Sequence, residues 1–510
     1  MQPLANSAAE PDSRTPWHHL RMNALDAIPA CTPDGDCRLG ESIAPEIAAR
    51  PGLSGVLPLN DGRDAFAARA LLADAAERTL DVQYYIWHND LSGTLLFEAL
   101  RRAADRGVRV RLLLDDNNTS GLDGVLAALD THPRIEVRLF NAFRGRRWRW
   151  LGFLTDFSRL NRRMHNKSFT VDERVTIVGG RNVGDEYFGV SRDTLFIDLD
   201  VLAVGPVVAE VAKDFERYWN SASAAPASTV LAPAAAAALA ACAAQAAETA
   251  RREDAKTYVE ALGNLPIVSD LLMRRLPWIW APTRVISDDP AKGLAHEKPR
   301  DLLLRRLQEV LGTLRRDLYL ISPYFVPTRR GTAFFAAHAR TGLRVMILTN
   351  SLEATDVIAV HAGYMKRRKE LLRAGVALFE LRRTNPPRKH LLRVRGSSGG
   401  SSASSLHSKT FSLDGERVFI GSFNFDQRSA RLNTEMGFII DSPDLARTSA
   451  SAFNSQIPDC AYEVRLRDGK LVWIERNEGA QTVHDKEPGT TLWQRVVVRV
   501  MSWLPIDWLL

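Results

Sequence analysis

The chain of 510 residues carries one long pattern twice, and a duplication of this kind decides the architecture before any local detail does. The first copy runs Leu80-Asp-Val-Gln-Tyr-Tyr-Ile86, then Gly93-Thr94, a helix-period stretch through Arg102, and Gly107-Val-Arg-Val-Arg-Leu-Leu-Leu114. The second runs Leu318-Tyr-Leu-Ile-Ser-Pro-Tyr-Phe325, then Gly331-Thr332, a helix-period stretch through Arg340, and Gly342-Leu-Arg-Val-Met-Ile-Leu348. Short apolar runs bounded by Gly or charged turns suit strands buried on both faces, so each copy reads as strand, helix, strand. Each copy later offers a second strand pair. Lys167 to Val171 precedes Val175 to Val178, and Lys409 to Leu413 precedes Val418 to Ile420, joined by turns at Asp172-Glu-Arg174 and Asp414-Gly-Glu-Arg417. The expected fold is α/β: two homologous lobes, each a mixed, mostly parallel sheet flanked by helices, forming a pseudo-dimer with a site between them.

This order divides the chain. Residues 1–50 form an extension, whose first 45 residues have no assignable role, 51–221 the first lobe, 222–300 an Ala- and Pro-rich connection, 301–465 the second lobe, and 466–510 a carboxyl-terminal segment. The composition, 45% hydrophobic and 25% charged, is that of a folded globular protein and excludes collagen-like, coiled-coil and wholly disordered chains. Four Cys without close C-x-x-C spacing make neither a disulfide framework nor a zinc site, and a reducing compartment is expected. No signal peptide is read in the first 25 residues. The window from Ser228 to Ala247 is mostly alanine with Pro233 and Gln245, which favours a spacer helix over a membrane span. The formal charge of +7 favours anionic partners, nucleic acid and anionic lipid alike.

Inside the long repeat lies a tighter one. His165-x-Lys167, Asp172 and Gly179-Gly180-Arg-Asn182 recur as His407-x-Lys409, Asp414 and Gly421-Ser422-Phe-Asn424, with 17 positions from His to Asn both times. Five specified residues at fixed offsets arise by chance in about one sequence in ten thousand. Residues two apart on a strand share a face, so each copy presents an imidazole beside an ammonium. Two copies facing each other would pool two His, two Lys and two Asn around an anion-sized hole suited to phosphate. Lys and Asn would hold the non-bridging oxygens while one imidazole attacks phosphorus and the other protonates the leaving oxygen. No metal is expected, because each Lys would set positive charge against a cation and no third ligand is evident.

The duplicated His-x-Lys-x4-Asp pattern resembles the signature of the phospholipase D superfamily, over about residues 50 to 465. Arg163-Met-His-Asn-Lys-Ser-Phe169, Val178-Gly-Gly-Arg-Asn-Val-Gly-Asp-Glu-Tyr-Phe188 and Ile420-Gly-Ser-Phe-Asn-Phe-Asp-Gln-Arg-Ser429 are similar to the bacterial cardiolipin synthases, and among them to the cardiolipin synthase C type, which has no amino-terminal transmembrane helices. The resemblance implies a two-step phosphatidyl transfer through phosphohistidine without a cofactor. His165 is expected as nucleophile and His407 as acid and base, with Lys167 and Lys409 in the catalytic set. Asn182, Ser422 and Asn424 are expected to bind substrate phosphate. Asp172 and Asp414, the carboxylates of the family motif, complete the catalytic set, and in the family such carboxylates mainly hold the motif together. The orienters of the histidines are expected to be Asp200, in Asp198-Leu-Asp200-Val, and Glu435, in Asn433-Thr-Glu435-Met. Gly180 stands where the second copy has Ser422, so one hydroxyl is missing from the first.

The implied partners are phosphatidylglycerol as acceptor, phosphatidylethanolamine or phosphatidylglycerol as donor, and an anionic membrane surface. Nucleic acid is not expected, although a hydrolase of phospholipid or nucleic-acid phosphodiesters is the rival reading, and any helper protein is left open. The implied location is peripheral, on the cytoplasmic face of a bacterial inner membrane. Arg144-Gly-Arg-Arg-Trp-Arg-Trp150 suits a membrane interface, a single-strand nucleic-acid surface or a solvated loop. Lys366-Arg-Arg-Lys369, Arg382-Arg383 and Arg388-Lys389 suit head-group contacts or solvated faces equally. Asp115-Asp116 reads as a cap for the next helix. Residues 492 to 510, rich in Trp and aliphatics, are interrupted by Pro505 and too short to span, and they fit an interfacial anchor or a segment packed on the protein itself.

Overall fold

The computed structural model describes residues 37–504 apart from 144, 147–148, 192–193, 264, 266–269, 271–274, 297–301, 313, 384–402 and 478. Parts of several stretches singled out in the sequence therefore lie outside the described residues: most of the amino-terminal extension, Arg144, Arg147 and Trp148 of the Arg/Trp loop, Arg388 and Lys389, the Ser/Gly run at 396–402, and Pro505 onward.

Two large mixed sheets form the body. The first runs, in spatial order, Ile279–Ala281, Ser54–Leu59, Asp200–Val204, Val175–Gly179, Ser168–Val171, Thr79–Tyr84, Arg109–Asp115, Ile135–Phe140 and Ala224–Pro226. The second runs Thr283–Ser287, Met436–Asp441, Arg417–Gly421, Thr410–Leu413, Asp317–Ile321, Arg344–Asn350, Ala377–Leu381, Ala461–Arg467, Lys470–Asn477 and Ala480–His484. Each contains a parallel trio, Thr79–Tyr84 with Arg109–Asp115 and Ile135–Phe140 in one lobe, Asp317–Ile321 with Arg344–Asn350 and Ala377–Leu381 in the other. The helices Leu91–Asp105 and Arg329–Arg340 make the first crossover of each trio, and Asp90 and Thr328 cap them by accepting from Gly93 and Gly331.

The motif hairpin sits beside the trio at the same register in both lobes. Leu80 faces Val171 and Leu318 faces Leu413. At the turn Asp172 and Asp414 adopt left-handed φ values of 52° and 55°, which aspartate tolerates. Their carboxylates accept from three consecutive backbone amides, Glu77, Arg78 and Thr79 at 2.7–3.0 Å, and Arg315, Arg316 and Asp317 at 2.7–3.1 Å. These two aspartates thus fasten the hairpin to the start of the neighbouring strand.

The lobes share structure. Ile279–Ala281 and Thr283–Ser287, consecutive in the connection, complete the edges of the first and second sheet in turn. Between them a common core brings Val56, Val178, Val201 and Val208 of one lobe against Val418, Ile420, Met436 and Phe438 of the other. A two-stranded parallel ribbon, Thr194–Ile197 with Ala403–Leu406, crosses from lobe to lobe. The alanine-rich stretch forms the helix Ala238–Arg251, whose Cys242, Gln245 and Ala246 lie near Phe97 and Leu129 of the first lobe. The second sheet passes the expected boundary at 465 and ends at His484, after which the helix Leu492–Trp503 docks on the helix Ile358–Met365. Among the described residues no helix is long and apolar enough to cross a membrane.

Candidate active site

Each motif histidine leaves the body of its own lobe to meet a strand of the other. The His165 N–H donates to the Thr434 carbonyl at 2.9 Å, and the Thr434 N–H returns to the Arg163 carbonyl at 2.9 Å. In the opposite sense, His407 N–H and Ser408 N–H donate to the Ile197 carbonyl at 2.8 and 3.0 Å. This exchange carries the side chains with it. His165 Nδ1 lies 2.8 Å from Glu435 Oε2, and His407 Nδ1 lies 2.5 Å from Asp198 Oδ2. Both imidazoles are therefore held through Nδ1 by a carboxylate of the opposite lobe, which leaves Nε2 for chemistry.

Glu435 takes the place read from the sequence, but Asp200 does not. Asp200 accepts from Arg69 Nη2 at 2.8 Å and from the Arg181 N–H at 3.1 Å, and has no contact with either motif histidine. The reason is register. Gly179 pairs with Asp200 and its counterpart Gly421 pairs with Gly437, so the residue equivalent to Glu435 is Asp198, two positions before Asp200. Asp198 lies just before the strand that Asp200 opens, and alternation of apolar residues does not distinguish the two aspartates.

Gly180 follows from the same placement. A Cβ there would lie 2.2 Å from Asp198 Oδ1, so the carboxylate occupies the space that a side chain would need. In the second lobe Ser422 hydroxyl donates to Glu435 Oε2 at 2.5 Å and accepts from Met436 N–H at 3.0 Å. In this structure Ser422 thus steadies Glu435.

The lysines are fully enclosed. Lys167 Nζ donates to the His165 carbonyl at 2.6 Å, and Lys409 Nζ donates to the His407 carbonyl and lies 2.9 Å from His407 Nδ1. Asn182 is also engaged, accepting from Ile86 N–H at 3.2 Å and donating to Tyr187 hydroxyl at 3.0 Å. Among the described residues the buried Asn424 amide oxygen and the Glu435 carboxylate Oε1 have no hydrogen-bond partner. Aromatic walls, which the sequence reading missed, face each imidazole: Tyr85 at 4.9 Å from the His165 ring, and Tyr187 and Phe196 at 5.2 and 5.1 Å from the His407 ring. All three belong to the first lobe. The register places Pro323 opposite Tyr85 in the repeat, so the two halves of the site differ in this wall.

The charges couple across the cleft. Burial, then the cations Lys167 and Lys409, hold His165 well below the ordinary imidazole range, and His407 is lowered by burial and Lys409 against the pull of Asp198. Burial brings Lys167 down to about 7 and Lys409 to about 8, with Glu435 and Asp198 respectively opposing it most. The carboxylates separate. Burial pushes Glu435 up to about 7, whereas for Asp198 the penalty of burial is overcome by His407 and Lys409 and the group stays below its usual value.

Residues around the centre hold its backbone. Asp115 accepts from Met164 N–H at 2.7 Å, Arg163 Nη1 at 3.1 Å and Asn117 N–H at 2.9 Å, so it caps the next turn and also fixes the approach to His165. Arg146 and Arg149 of the Arg/Trp loop turn inward, Arg146 onto Asp116 and Asp123 and Arg149 onto the Asp116 carbonyl. Asp288, from the connection, accepts from Glu435 N–H at 2.9 Å while bound to Lys292 at 2.9 Å. Among the described residues, one group has the spacing of metal ligands, His88, Asp90 and Glu186, none of them in the two motifs. Its Asp90 already receives Gly93 N–H and Asp185 N–H.

Comparison with known proteins gives one result in sequence and fold. The family described as cardiolipin synthase, PLD-like domain, matches twice, over residues 70–219 and 308–457. The chain is 53% identical to cardiolipin synthase C of Escherichia coli over 476 residues, 93% of this chain and 100% of the relative. It is 31% identical to an uncharacterized Helicobacter pylori protein over 92% of each chain, and 26% identical to cardiolipin synthase A of Pseudomonas entomophila over 84% of this chain and 73% of the relative. Among solved structures, phosphatidylserine synthase of Haemophilus influenzae aligns over 92% of this chain and 100% of its own with a TM-score of 0.57 at 11% identity, a likeness of fold.

Proposed function

Since the chain belongs to the cardiolipin synthase family of PLD-like proteins, we propose that it is a phosphatidyltransferase that makes cardiolipin at a membrane surface through a phosphohistidine. The observation that carries this reading is the pair of buried imidazoles, each braced at Nδ1 by a carboxylate of the other lobe.

His165 is the nucleophile. Its lowered proton affinity keeps the imidazole neutral, and Nε2 attacks the phosphorus of the donor lipid while the bond to the head-group oxygen breaks. His407, backed by an ionised Asp198 that favours imidazolium, gives its Nε2 proton to that oxygen, and the head-group alcohol departs. Phosphatidyl-His165 remains. A hydroxyl of phosphatidylglycerol then loses its proton to His407 and attacks the same phosphorus, releasing His165 and completing cardiolipin. Lys167 and Lys409 stabilise the non-bridging oxygens, with Asn424 and Asn182 beside them. The donor is phosphatidylethanolamine, which releases ethanolamine, or a second phosphatidylglycerol, which releases glycerol. The enzyme works peripherally, on the cytoplasmic face of the membrane.

Mass spectrometry of lipids after incubation with vesicles of phosphatidylglycerol and phosphatidylethanolamine, without added metal, tests the proposal. Cardiolipin with ethanolamine indicates mixed-donor transfer, and cardiolipin with glycerol indicates two phosphatidylglycerols. Phosphatidic acid alone would replace transfer by hydrolysis.

A further inference from the structure

The helix Leu492–Trp503 begins at a capping box, with Thr491 accepting from Gln494 N–H at 3.2 Å and Gln494 accepting from Thr491 N–H at 2.8 Å. Its inner face is anchored: Val498 packs with Leu352 and Ala362, and Met501 lies against the same cluster. Its outer face is apolar and bare. Leu492, Trp493, Val496, Val500, Trp503 and the following Leu504 are 43–77% exposed, and at about 100° per residue they fill an arc of about 120°. Trp493 and Trp503 stand about 15 Å apart along the axis. Such a contiguous apolar strip on a surface marks an interaction site.

A basic cleft of about 310 Å³ opens beside the helix. Among its lining cations, Arg368 is neutralised by Glu380 and Glu487, but Lys369 donates to the Gly469 carbonyl and Arg495 to the carbonyl and hydroxyl of Thr490, and among the described residues neither is paired with a carboxylate. Lys470, Lys486 and Arg499 line it as well, with Asp485 as the remaining carboxylate. The uncompensated charge next to the strip is therefore positive. A helix with Trp and aliphatics outward and cations along its border matches the head-group region of an anionic bilayer better than another protein surface.

The strip is tied to the catalytic centre through direct contacts. Leu406, the residue before His407, exchanges two hydrogen bonds with the Asn350 side chain, at 2.9 and 3.1 Å. Two residues on, Leu352 packs on Val498. The intervening Asp356 accepts from Tyr324 hydroxyl at 2.6 Å, and exposed Ile358 opens the helix against which Leu492–Trp503 lies.

We propose that the outer face of the helix Leu492–Trp503 and the adjoining basic cleft form a docking surface for an anionic phospholipid bilayer, with the cleft taking the phosphate of a lipid head group that is not a substrate at that moment. This surface rests on the phospholipid reading above and supplies what that reading lacks, the face by which the enzyme meets its lipid. Tryptophan side chains settle at the level of the head groups, and the cations draw the protein to negative surface charge.

Co-sedimentation of the full chain with phosphatidylcholine vesicles, with and without phosphatidylglycerol, tests the surface independently of catalysis. His165→Asn is expected to bind anionic vesicles as the unmodified enzyme does, so that failure of the transferase reading and failure of the docking surface are told apart. The double variant Trp493→Gln, Trp503→Gln is expected to bind about tenfold more weakly to both kinds of vesicle. Lys470→Glu, Lys486→Glu, Arg499→Glu is expected to lose the preference for phosphatidylglycerol. Both variants should keep turnover of a short-chain phosphatidylglycerol in true solution, which shows that they are folded. Vesicle binding unchanged in both would overturn the proposal. So would a concentration-dependent increase in mass that the Trp variant abolishes without change in vesicle binding, because the strip would then cover a second copy of the chain.

Discussion

His165 and His407 share a motif but not an environment, and the difference lies in the carboxylate behind each ring. Asp198 stays ionised and favours a charged His407, while Glu435 is pushed up to about 7 behind a neutral His165. Replacing Asp198 by Asn removes the charge that supports imidazolium, and we expect kcat to fall by about 10²- to 10⁴-fold, with the pH profile displaced. Asp200→Asn should act differently: it leaves the Arg69 guanidinium without its buried carboxylate, at a cost of about 3–5 kcal/mol in stability, read by denaturant unfolding. A collapse of kcat in Asp200→Asn with Asp198→Asn near normal would reverse the assignment. The lysines set the alkaline side of the profile. Their proton affinity is lowered, to about 7 for Lys167 and about 8 for Lys409, so both are charged below that window and neutral above it. Accordingly kcat/KM should fall as pH rises through about 7 to 8, and Lys167→Arg should carry the onset of the fall to higher pH. A profile flat through that window would contradict the role given to them. The histidines, lysines and asparagines were legible in the sequence because their spacing repeats. Asp198 was not, because it lies two positions before the strand that Asp200 opens and only the pairing of Asp200 with Gly179 tells the two aspartates apart. The walls Tyr85, Tyr187 and Phe196 left no signal either, since they come from one lobe and have no echo in the other.

At the scale of elements, the motif hairpin is the unit that was copied, and its turn aspartates show how it is attached. Asp172 and Asp414 each receive three amide N–H groups and touch neither imidazole. Asn tolerates the left-handed turn as Asp does, so Asp172→Asn isolates the loss of charge and of one acceptor oxygen. It should lower stability by about 1–3 kcal/mol and leave kcat largely intact once folded. Asp414→Asn should cost less, because the amides it binds belong to exposed Arg315 and Arg316 and water can replace the bond. Loss of activity at full stability would instead make these carboxylates participants in the chemistry. The first two strands of each trio and the hairpins were readable from apolar runs and turns close together in sequence, whereas the third strands, Ile135–Phe140 and Ala377–Leu381, were not read. The edge strands were not: Ile279–Ala281 pairs with Ser54–Val56, more than two hundred residues away, and its three residues carry no period of their own. The hairpins after 465 alternate charged and apolar residues on a half-solvated sheet edge, which resembles a tail when read alone.

For the whole molecule, the exchange of carboxylates means that neither lobe holds a complete site, so whatever fixes the lobes together also fixes the chemistry. The apolar core between the sheets supplies adhesion without direction. Direction comes from the buried pair Asp288 and Lys292. Asp288 accepts from Leu303 N–H and Glu435 N–H, and Lys292 donates to Asp288 and to the Ser429 carbonyl, all at 2.8–2.9 Å. One ion pair in the connection thus holds the segment that presents Glu435 to His165. Lys292→Met should leave Asp288 as a buried, unpaired charge, with a loss of about 3–5 kcal/mol at neutral pH. The sign of the pH dependence follows from Asp288 itself, which burial already raises to about 6. Above that value the carboxylate is charged and needs its lysine, and below it the neutral acid does not. The difference in Tm between Lys292→Met and the unmodified enzyme should therefore be largest above neutrality and shrink as pH falls through about 6. Activity should follow a separate course, with kcat reduced even where the variant is fully folded, because the Glu435 amide has lost a fixed acceptor. A stability deficit independent of pH would assign Lys292 a packing role, and an unchanged kcat in folded protein would show that Glu435 is aligned by His165 and Ser422 alone.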